Sequence, residues 1–235
     1  MGKNKLQRFA EMATFQNVIQ PELSEVLHND YHLKGNWNSS FFKTSNPVVL
    51  ELGCGKGEYT VGLAKVFPNK NFIGIDIKGA RIWRGAKTAL EYNLQNAGFL
   101  RTRIEQITSF FTKDEVSEIW ITFPDPQEKR IRAKKRLTSS RFLPLYKKFL
   151  KPGGLIHLKT DNNILYDYTY RLCLHNDLKI IKSSSDLYKT ETDQNLLSIQ
   201  TFYESHYMAK SIPIKYICFT IDAKETITEP PEEKD

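Results

Sequence analysis

One carboxylate, Asp125, stands between two prolines at the end of an apolar run, in the stretch WITFPDPQEKRIRAKKRL. Proline fixes its own φ and has no N–H to donate, so Pro124 and Pro126 stop a strand and stiffen the chain that continues from it. Asp125 is therefore predicted to project from a strand end with little conformational freedom. Such a preorganised carboxylate suits binding or catalysis, and an ordinary Asx turn is the alternative interpretation.

A basic segment, residues 129–136, comes directly after this stretch of prolines. Five of its last seven positions are basic: Arg130, Arg132, Lys134, Lys135 and Arg136. Basic runs are often only solvated faces. This one has almost no compensating acid and begins at the predicted strand end, where its cations would neutralise phosphates and release counterions. The segment therefore favours a polyanionic partner.

A glycine-rich loop supplies a second site. Gly53, Gly55 and Gly57 follow the apolar run VVLEL. Glycines there permit a sharp turn and let the backbone approach a ligand closely. Glu51 precedes the loop, and Asp76 ends the next apolar run, 23 residues after Gly53. A carboxylate at that position can accept hydrogen bonds from both hydroxyls of a ribose.

Three cofactors compete for such a loop. A nicotinamide dinucleotide site requires G-x-G-x-x-G, and here the third glycine comes one residue early. A P-loop requires G-x-x-x-x-G-K-[ST], which the loop lacks. S-adenosylmethionine is a sulfonium cation without phosphate, so an acidic loop attracts it, whereas Glu51 would repel a pyrophosphate. A tight turn that binds nothing is the structural alternative.

The elements that must position these groups alternate regularly from Pro47. Strands are predicted at 48–52, 71–76, 99–104, 118–123, 155–160, 178–183 and 213–221, and helices at 58–67, 80–97, from 139 or 140 to 150, and 162–175. This order predicts a doubly wound α/β fold: a mostly parallel, seven-stranded sheet with helices on both faces and an antiparallel edge hairpin. Ligands bind such sheets at the carboxyl ends of the strands.

Charge and composition limit the function classes. The 235 residues carry a formal charge of +7, and the last twelve hold five acids and two lysines, which leaves +10 on the rest. No apolar run could span a membrane and no apolar signal core opens the chain, so a cytoplasmic protein is expected. His28 and His32 lack a third ligand, so no metal site is predicted.

Three regions are predicted along the chain. Residues 1–46 form an N-terminal extension without a repeating pattern, and residues 47–223 form the α/β domain. The acidic, proline-containing tail 224–235 is predicted to be disordered.

Two motifs resemble those of a known family. The stretch Glu51–Gly57 resembles the first motif of class I methyltransferases: an acidic residue, a hydrophobe and G-x-G-x-G. The stretch FPDPQEKRIRAKKRL resembles F-P-D-P-W-x-K-x-R-H-x-K-R-R-L of the bacterial tRNA (guanine-N7-)-methyltransferases, and it departs at Gln127, Ile131, Arg132 and Lys135. Thr160-Asp161 and TFYE (201–204) are similar to later elements of that family.

The resemblance implies a Rossmann-like class I methyltransferase that transfers a methyl group from S-adenosylmethionine to N7 of a tRNA guanine in the variable loop. It implies cofactor contacts from Glu51, Gly53, Gly55, Gly57, Asp76, Glu105 and Asp125. Asp125 is the implied catalytic carboxylate, and the implied substrate-binding residues are Lys129, Asp161, Thr201 and Glu204. The implied RNA contacts are Ile131, Arg132, Ala133, Lys134, Lys135 and Arg136.

The chemistry of N7 fits a site built from carboxylates. N7 offers a lone pair and loses no proton on methylation, so no general base is needed there. Carboxylates at the base edge could accept hydrogen bonds from N1–H and N2–H and stabilise the charge that develops. Two alternatives stay open: a methyltransferase for another RNA, and a noncatalytic RNA-binding module on the same fold. Whether the protein is a monomer or a homodimer is also left open.

Overall fold

A single sheet organises the computed structural model, which describes residues 3–27, 29–190, 199–222 and 226–231. Its strands are β1 (Val18–Ile19), β2 (Val48–Leu52), β3 (Asn71–Asp76), β4 (Ala97–Arg101), β5 (Val116–Thr122), β6 (Leu150–Thr160), β7 (Ile180–Ser184) and β8 (Lys215–Phe219). The helices are α1 (Lys3–Met12), α2 (Leu23–Val26), α3 (Glu58–Val66), α4 (Gly79–Glu91), α5 (Leu143–Lys147), α6 (Asn163–His175), α7 (Leu187–Thr190) and α8 (Phe202–Ala209). Short 3₁₀ helices cover Ile104–Ser109 and Arg130–Lys135, and a π-helical turn covers Trp37–Phe42.

The strand order is β1-β4-β3-β2-β5-β6-β8-β7. The pairs from β1 to β6 are parallel, and β8 is antiparallel to both of its neighbours. The doubly wound, mostly parallel fold with an antiparallel pair near one edge is thus confirmed. The predicted number of seven strands was one short, because the two-residue β1 in the N-terminal region carried no strand pattern. The last strand also lies inside the sheet, and β7 forms the edge.

The central strand β2 is buried at all five positions. Leu50 packs in the apolar cluster on one face of the sheet and Val49 in the cluster on the other. A strand covered on both faces is mostly apolar, which is why VVLEL shows no alternation and has Glu51 as its one polar residue. Its carboxyl end is thereby fixed at the centre of the sheet, where the glycine loop begins.

The N-terminal region contributes to the core. Trp37 is fully buried, donates its indole N–H to the Phe110 carbonyl at 2.8 Å, and stacks on Phe111 with ring centroids 5.4 Å apart. Strand β1 pairs with β4. The described part of this region therefore adds an edge strand to the sheet and Trp37 to the core, although its aromatic spacing alone gave no structural prediction.

Helix α4 ends earlier than predicted. The pattern predicted a helix to Ala97, but the helix stops at Glu91, and Asn93 adopts a left-handed φ of 52°. Asparagine tolerates this conformation better than most residues. The chain turns there, so residues 97–101 form β4 rather than the end of a helix.

Part of the acidic tail is ordered. Ile227 is buried, and Thr228 exchanges backbone hydrogen bonds with the side chain of Asn176 at the end of α6, both at 2.8 Å. The tail 224–235 was expected to be disordered, and in this structure Ile227 and Thr228 make these defined contacts. Apolar burial and paired backbone groups offset the ordering entropy at these positions, and tail composition does not reveal them.

Candidate active site

The glycine loop joins β2 to α3 through three left-handed residues. Gly53, Gly55 and Gly57 have φ values of 75°, 56° and 68°. The backbone N–H groups of Gly53 and Cys54 both donate to the Ile75 carbonyl, at 2.8 and 3.0 Å. The loop is therefore held against the end of β3, and its glycines satisfy the backbone requirement inferred from the motif.

Gly57→Ala is expected to destabilise the protein by about 2–5 kcal/mol. Left-handed backbone is costly for alanine, and a Cβ at this position would also lie 2.5 Å from Phe99 Cε1 and 3.1 Å from Gly85 Cα. Gly153→Ala is the matched control, because its φ is 72° with nothing within 4 Å of the new Cβ. Urea denaturation should show a loss of only about 1–2 kcal/mol for the control. Equal losses of stability in the two variants would contradict a steric contribution from the Cβ at position 57.

Glu51 is buried beneath the loop. One carboxylate oxygen accepts from the backbone N–H and the hydroxyl of Thr60, and the other accepts from the Thr122 hydroxyl at 2.6 Å. Burial raises the pKa of Glu51 to about 7, although the Thr122 and Thr60 hydrogen bonds oppose the shift. The Glu51 carboxyl group therefore changes its protonation state near neutral pH.

Cofactor affinity is expected to rise with pH and to level off above about pH 7. A cationic ligand favours the ionised form of Glu51, so binding at low pH must first remove a proton. For one proton and a pKa of about 7, calorimetry should give about tenfold weaker binding at pH 6 than at pH 8. Glu51→Gln removes the titrating carboxyl group, whereas the ligand's own ionisation stays the same. The difference in pH dependence between the two proteins therefore reports Glu51. The same pH dependence in both proteins would contradict the assignment.

Asp76 ends β3 and holds the loop tip. One of its oxygens accepts from Gly55 N–H at 3.0 Å and the other from Lys78 N–H at 2.8 Å. A carboxylate has about four lone-pair positions, so these bonds leave acceptor capacity for ribose hydroxyls.

A cavity of about 360 Å³ opens beside the loop. It is lined by Gly53, Asp76, Ile77, Thr102, Arg103, Ile104, Glu105, Lys135, Leu137 and Phe142. Glu105 lies in the 3₁₀ helix after β4 and faces Arg141, whose guanidinium is 3.5 Å from the carboxylate. The cavity volume falls within the range of about 300–1,000 Å³ typical of ligand sites. A smaller cavity of about 80 Å³ shares Gly53 and includes Glu51, Tyr59, Phe123 and Thr201.

The Asp125 loop, residues 123–127, follows the end of β5 and has left-handed backbone at two positions. Phe123 and Gln127 have φ values of 46° and 47°, although neither is glycine. Asp125 is exposed, and its Oδ1 accepts from Gln127 N–H at 3.0 Å. Asp125 does not line either cavity, but Phe123 does. The carboxylate is therefore exposed two residues from the wall of the smaller cavity, which is called the crevice mouth below, and it is accessible to a macromolecule.

The implied substrate residues are only partly brought together. Burial and the neighbouring Asp161 carboxylate, which accepts a hydrogen bond from Tyr207 on α8, raise the pKa of Tyr207. Tyr207 also stacks on Phe123 with ring centroids 6.0 Å apart. Thr201 caps α8 and lines the smaller cavity. Lys129 is exposed and precedes the basic 3₁₀ helix. Asp161 and Thr201 thus flank the start of the Asp125 loop, and Lys129 lies farther along the chain.

Glu204 does not reach the crevice surface. It is fully buried, 2.6 Å from the Lys159 ammonium, and it accepts from the Tyr188 hydroxyl at 2.8 Å. It also completes the capping box of α8 with Thr201. In this structure Glu204 thus has internal partners, and its expected substrate contact stays a prediction. Lys159 itself was missed, although a lysine inside the apolar run LIHLKT was a signal of a buried partner.

The basic segment divides into exposed and buried members. Ile131, Arg132, Lys134 and Lys135 are exposed and Ala133 is half-buried, which suits RNA contact. Arg136 is only 5% exposed and donates to the backbone carbonyls of Pro126 and Gln127, both at 3.1 Å. In this structure Arg136 thus hydrogen-bonds the protein's own backbone, and its expected RNA contact stays a prediction.

Neither a metal-ligand cluster nor a membrane-spanning helix is found among the described residues. Within those ranges, no three acidic, histidine or cysteine side chains group as metal ligands, and His28 lies outside them. Nor does any described helix have the length and apolar character needed to cross a membrane.

The strand order, the glycine loop and the acidic strand ends define a class I S-adenosylmethionine-dependent methyltransferase. The crystal structure of the 16S rRNA methyltransferase KamB has a TM-score of 0.57 and 14% sequence identity, over 75% of this chain and 88% of that one. Such low identity supports the fold alone. The family model "Putative methyltransferase" matches residues 45–216.

Curated relatives identify the family. The tRNA (guanine-N(7)-)-methyltransferase of Christiangramia forsetii is 55% identical over 94% of this chain and 99% of its own length. Its counterpart in Bacteroides fragilis is 48% identical over 98% of this chain and 90% of its own length. The chain belongs to the tRNA (guanine-N(7)-)-methyltransferase family, which confirms the class of enzyme and the cofactor that its motifs predicted.

Proposed function

We propose that this enzyme transfers the methyl group of S-adenosylmethionine to N7 of a guanine in the variable loop of tRNA, acting in the cytoplasm. One observation carries the proposal: the glycine-loop crevice opens beside the Asp125 loop, and the basic segment continues directly from that loop. Cofactor, target base and RNA backbone would thus meet at one edge of the sheet.

The residues at the crevice fit the cofactor. Asp76 and Glu105 line the cavity of about 360 Å³, which suits the adenosine part, and Glu51 lines the smaller cavity, which suits the methionine part. The loop glycines keep Cβ atoms away from this surface. When bound, S-adenosylmethionine supplies an electrophilic methyl group on a sulfonium. The acidic residues favour that positive charge.

Asp125 is the proposed catalytic carboxylate. N7 requires no proton removal, so Asp125 would orient the purine and stabilise its developing positive charge rather than act as a base. Asp161 and Thr201, on either side of the loop start, would position the same base. Most of the rate would then come from orientation and electrostatics.

The basic segment would hold the RNA backbone. Arg132, Lys134 and Lys135 are exposed beside the loop, and such cations position a nucleic acid without reading its sequence. The target guanine must leave its stack to reach the crevice, at a cost of about a few kcal/mol. Multiple phosphate contacts offset that cost and make binding sensitive to salt.

The test is to incubate the protein with unmodified tRNA transcript and methyl-labelled S-adenosylmethionine. Nuclease digestion to nucleosides should yield labelled 7-methylguanosine, and fragment mapping should place it in the variable loop. Label in another nucleoside would overturn the N7 assignment. Label in 7-methylguanosine elsewhere in the tRNA would overturn only the position, and absence of label with tRNA still bound would favour a noncatalytic RNA-binding module.

A further inference from the structure

Arg136 is built into the protein at the back of the Asp125 loop. Its guanidinium donates through Nε to the Pro126 carbonyl and through Nη2 to the Gln127 carbonyl, both at 3.1 Å. It also lies over the Tyr168 ring, 4.3 Å from the centroid. A planar fork with several donors can hold two adjacent carbonyls at once, which a lysine ammonium does less well.

The loop that Arg136 holds needs such a restraint. Phe123 and Gln127 sit in left-handed backbone, which costs about 1–3 kcal/mol per residue and persists only where the surroundings enforce it. Asp125 lies between these two residues, and its carboxylate bonds the N–H of Gln127. Any relaxation at Gln127 would therefore move the carboxylate.

The restraint continues into the C-terminal segment, residues 226–231. The Tyr168 hydroxyl donates to Glu229 Oε2 at 2.8 Å, and Glu229 Oε1 accepts from the Ser140 hydroxyl and backbone N–H at 2.5 and 3.1 Å. Burial lowers the pKa of Arg136, and the neighbouring Tyr168 and Glu229 oppose that shift. Buried Ile227 anchors the same segment.

We propose that Arg136 is a positioning residue for Asp125 and that the C-terminal segment locks it in place through Tyr168 and Glu229. The inference rests on the proposed role of Asp125 in methyl transfer. It assigns Arg136 to turnover rather than to the RNA footprint, and it gives the acidic tail a place in the active-site architecture.

The two roles predict opposite kinetic patterns. A phosphate contact contributes to tRNA affinity, and its loss lowers the slope of log K against log salt by about one. A positioning residue affects the rate, because misplacement of a catalytic group by about 1 Å can cost about 10²-fold.

The experiment compares Arg136→Lys, which keeps the charge but loses the fork, with Arg132→Met on the exposed part of the basic segment. For Arg136→Lys, we expect single-turnover methylation to fall about 10–100-fold, with the Kd for tRNA within twofold and an unchanged salt slope. For Arg132→Met, the effect should appear in the Kd and in the salt slope.

Glu229→Gln and Tyr168→Phe provide milder tests that the fold should tolerate. Each keeps the side-chain shape and weakens the link to Arg136, so each should lower the rate about 2–10-fold at constant tRNA affinity. Full rate in Arg136→Lys, or a loss confined to tRNA affinity, would overturn the inference and leave the proposed function standing. If Arg136→Lys unfolds, full rates in both milder variants would overturn it. A wild-type protein that forms no 7-methylguanosine would overturn the proposed function and this inference with it.

Discussion

Asp125→Ala should lower single-turnover methylation by about 10²–10³-fold, the range seen when one preorganised stabilising group is removed from an active site. The carboxylate is exposed at the mouth of the crevice and fixed by the Gln127 N–H, so its loss removes charge without opening the core. Rapid-quench assays at saturating cofactor and tRNA would measure the change.

Two further variants define what Asp125 contributes. Asp125→Asn keeps the acceptor oxygen and loses the charge, so a large defect there assigns the effect to electrostatics. Asp30→Asn is the control, because Asp30 is an exposed carboxylate whose surface pair with Lys34 is worth little. Asp125→Ala turnover within a few-fold of wild type would contradict the proposed catalytic role.

Lys159→Met should be the most destabilising single change among those considered. Lys159 and Glu204 are fully buried and 2.6 Å apart. Burial lowers the pKa of Lys159, and the neighbouring Glu204 opposes that shift. Removal of one partner leaves a buried charge, which typically costs about 3–5 kcal/mol. Urea denaturation would measure the change in the free energy of unfolding.

The double variant Lys159→Met/Glu204→Gln tests the reason for that loss. It removes both charges and keeps an amide for the α8 capping box, in which Glu or Gln serves equally. We expect it to recover most of the stability lost in Lys159→Met, because no buried charge remains unpaired. Equal losses in the single and double variants would show that packing, rather than charge, dominates there.

The sequence predicted the parts of the fold that depend on local pattern. The run NFIGID coincides with β3, and the helix predicted over 58–67 differs from α3 by one residue. Glycine spacing predicted a sharp turn after β2, and the loop makes that turn through three left-handed glycines. These features depend on intrinsic residue properties, which a single sequence displays.

The remaining features depend on tertiary contacts that residue types and spacing do not display. In the sequence, Arg136 is one more cation of the basic segment. The structure places it beside the Pro126 and Gln127 carbonyls. In the sequence, Glu204 is one carboxylate of the TFYE motif. The structure pairs it with Lys159 inside the protein. Folding brings such groups together and buries them, so composition and spacing do not distinguish a binding charge from a structural one.

The measurement that tests the central claim most directly changes one atom of the substrate. A tRNA transcript carrying 7-deazaguanosine at the mapped acceptor position replaces N7 with C–H and leaves the N1–H and N2–H edge intact. We predict no methyl transfer to this transcript, with its Kd for the enzyme within a few-fold of the normal tRNA. Methylation of that residue at the normal rate would contradict the account, because the methyl group would then be going to an atom other than N7.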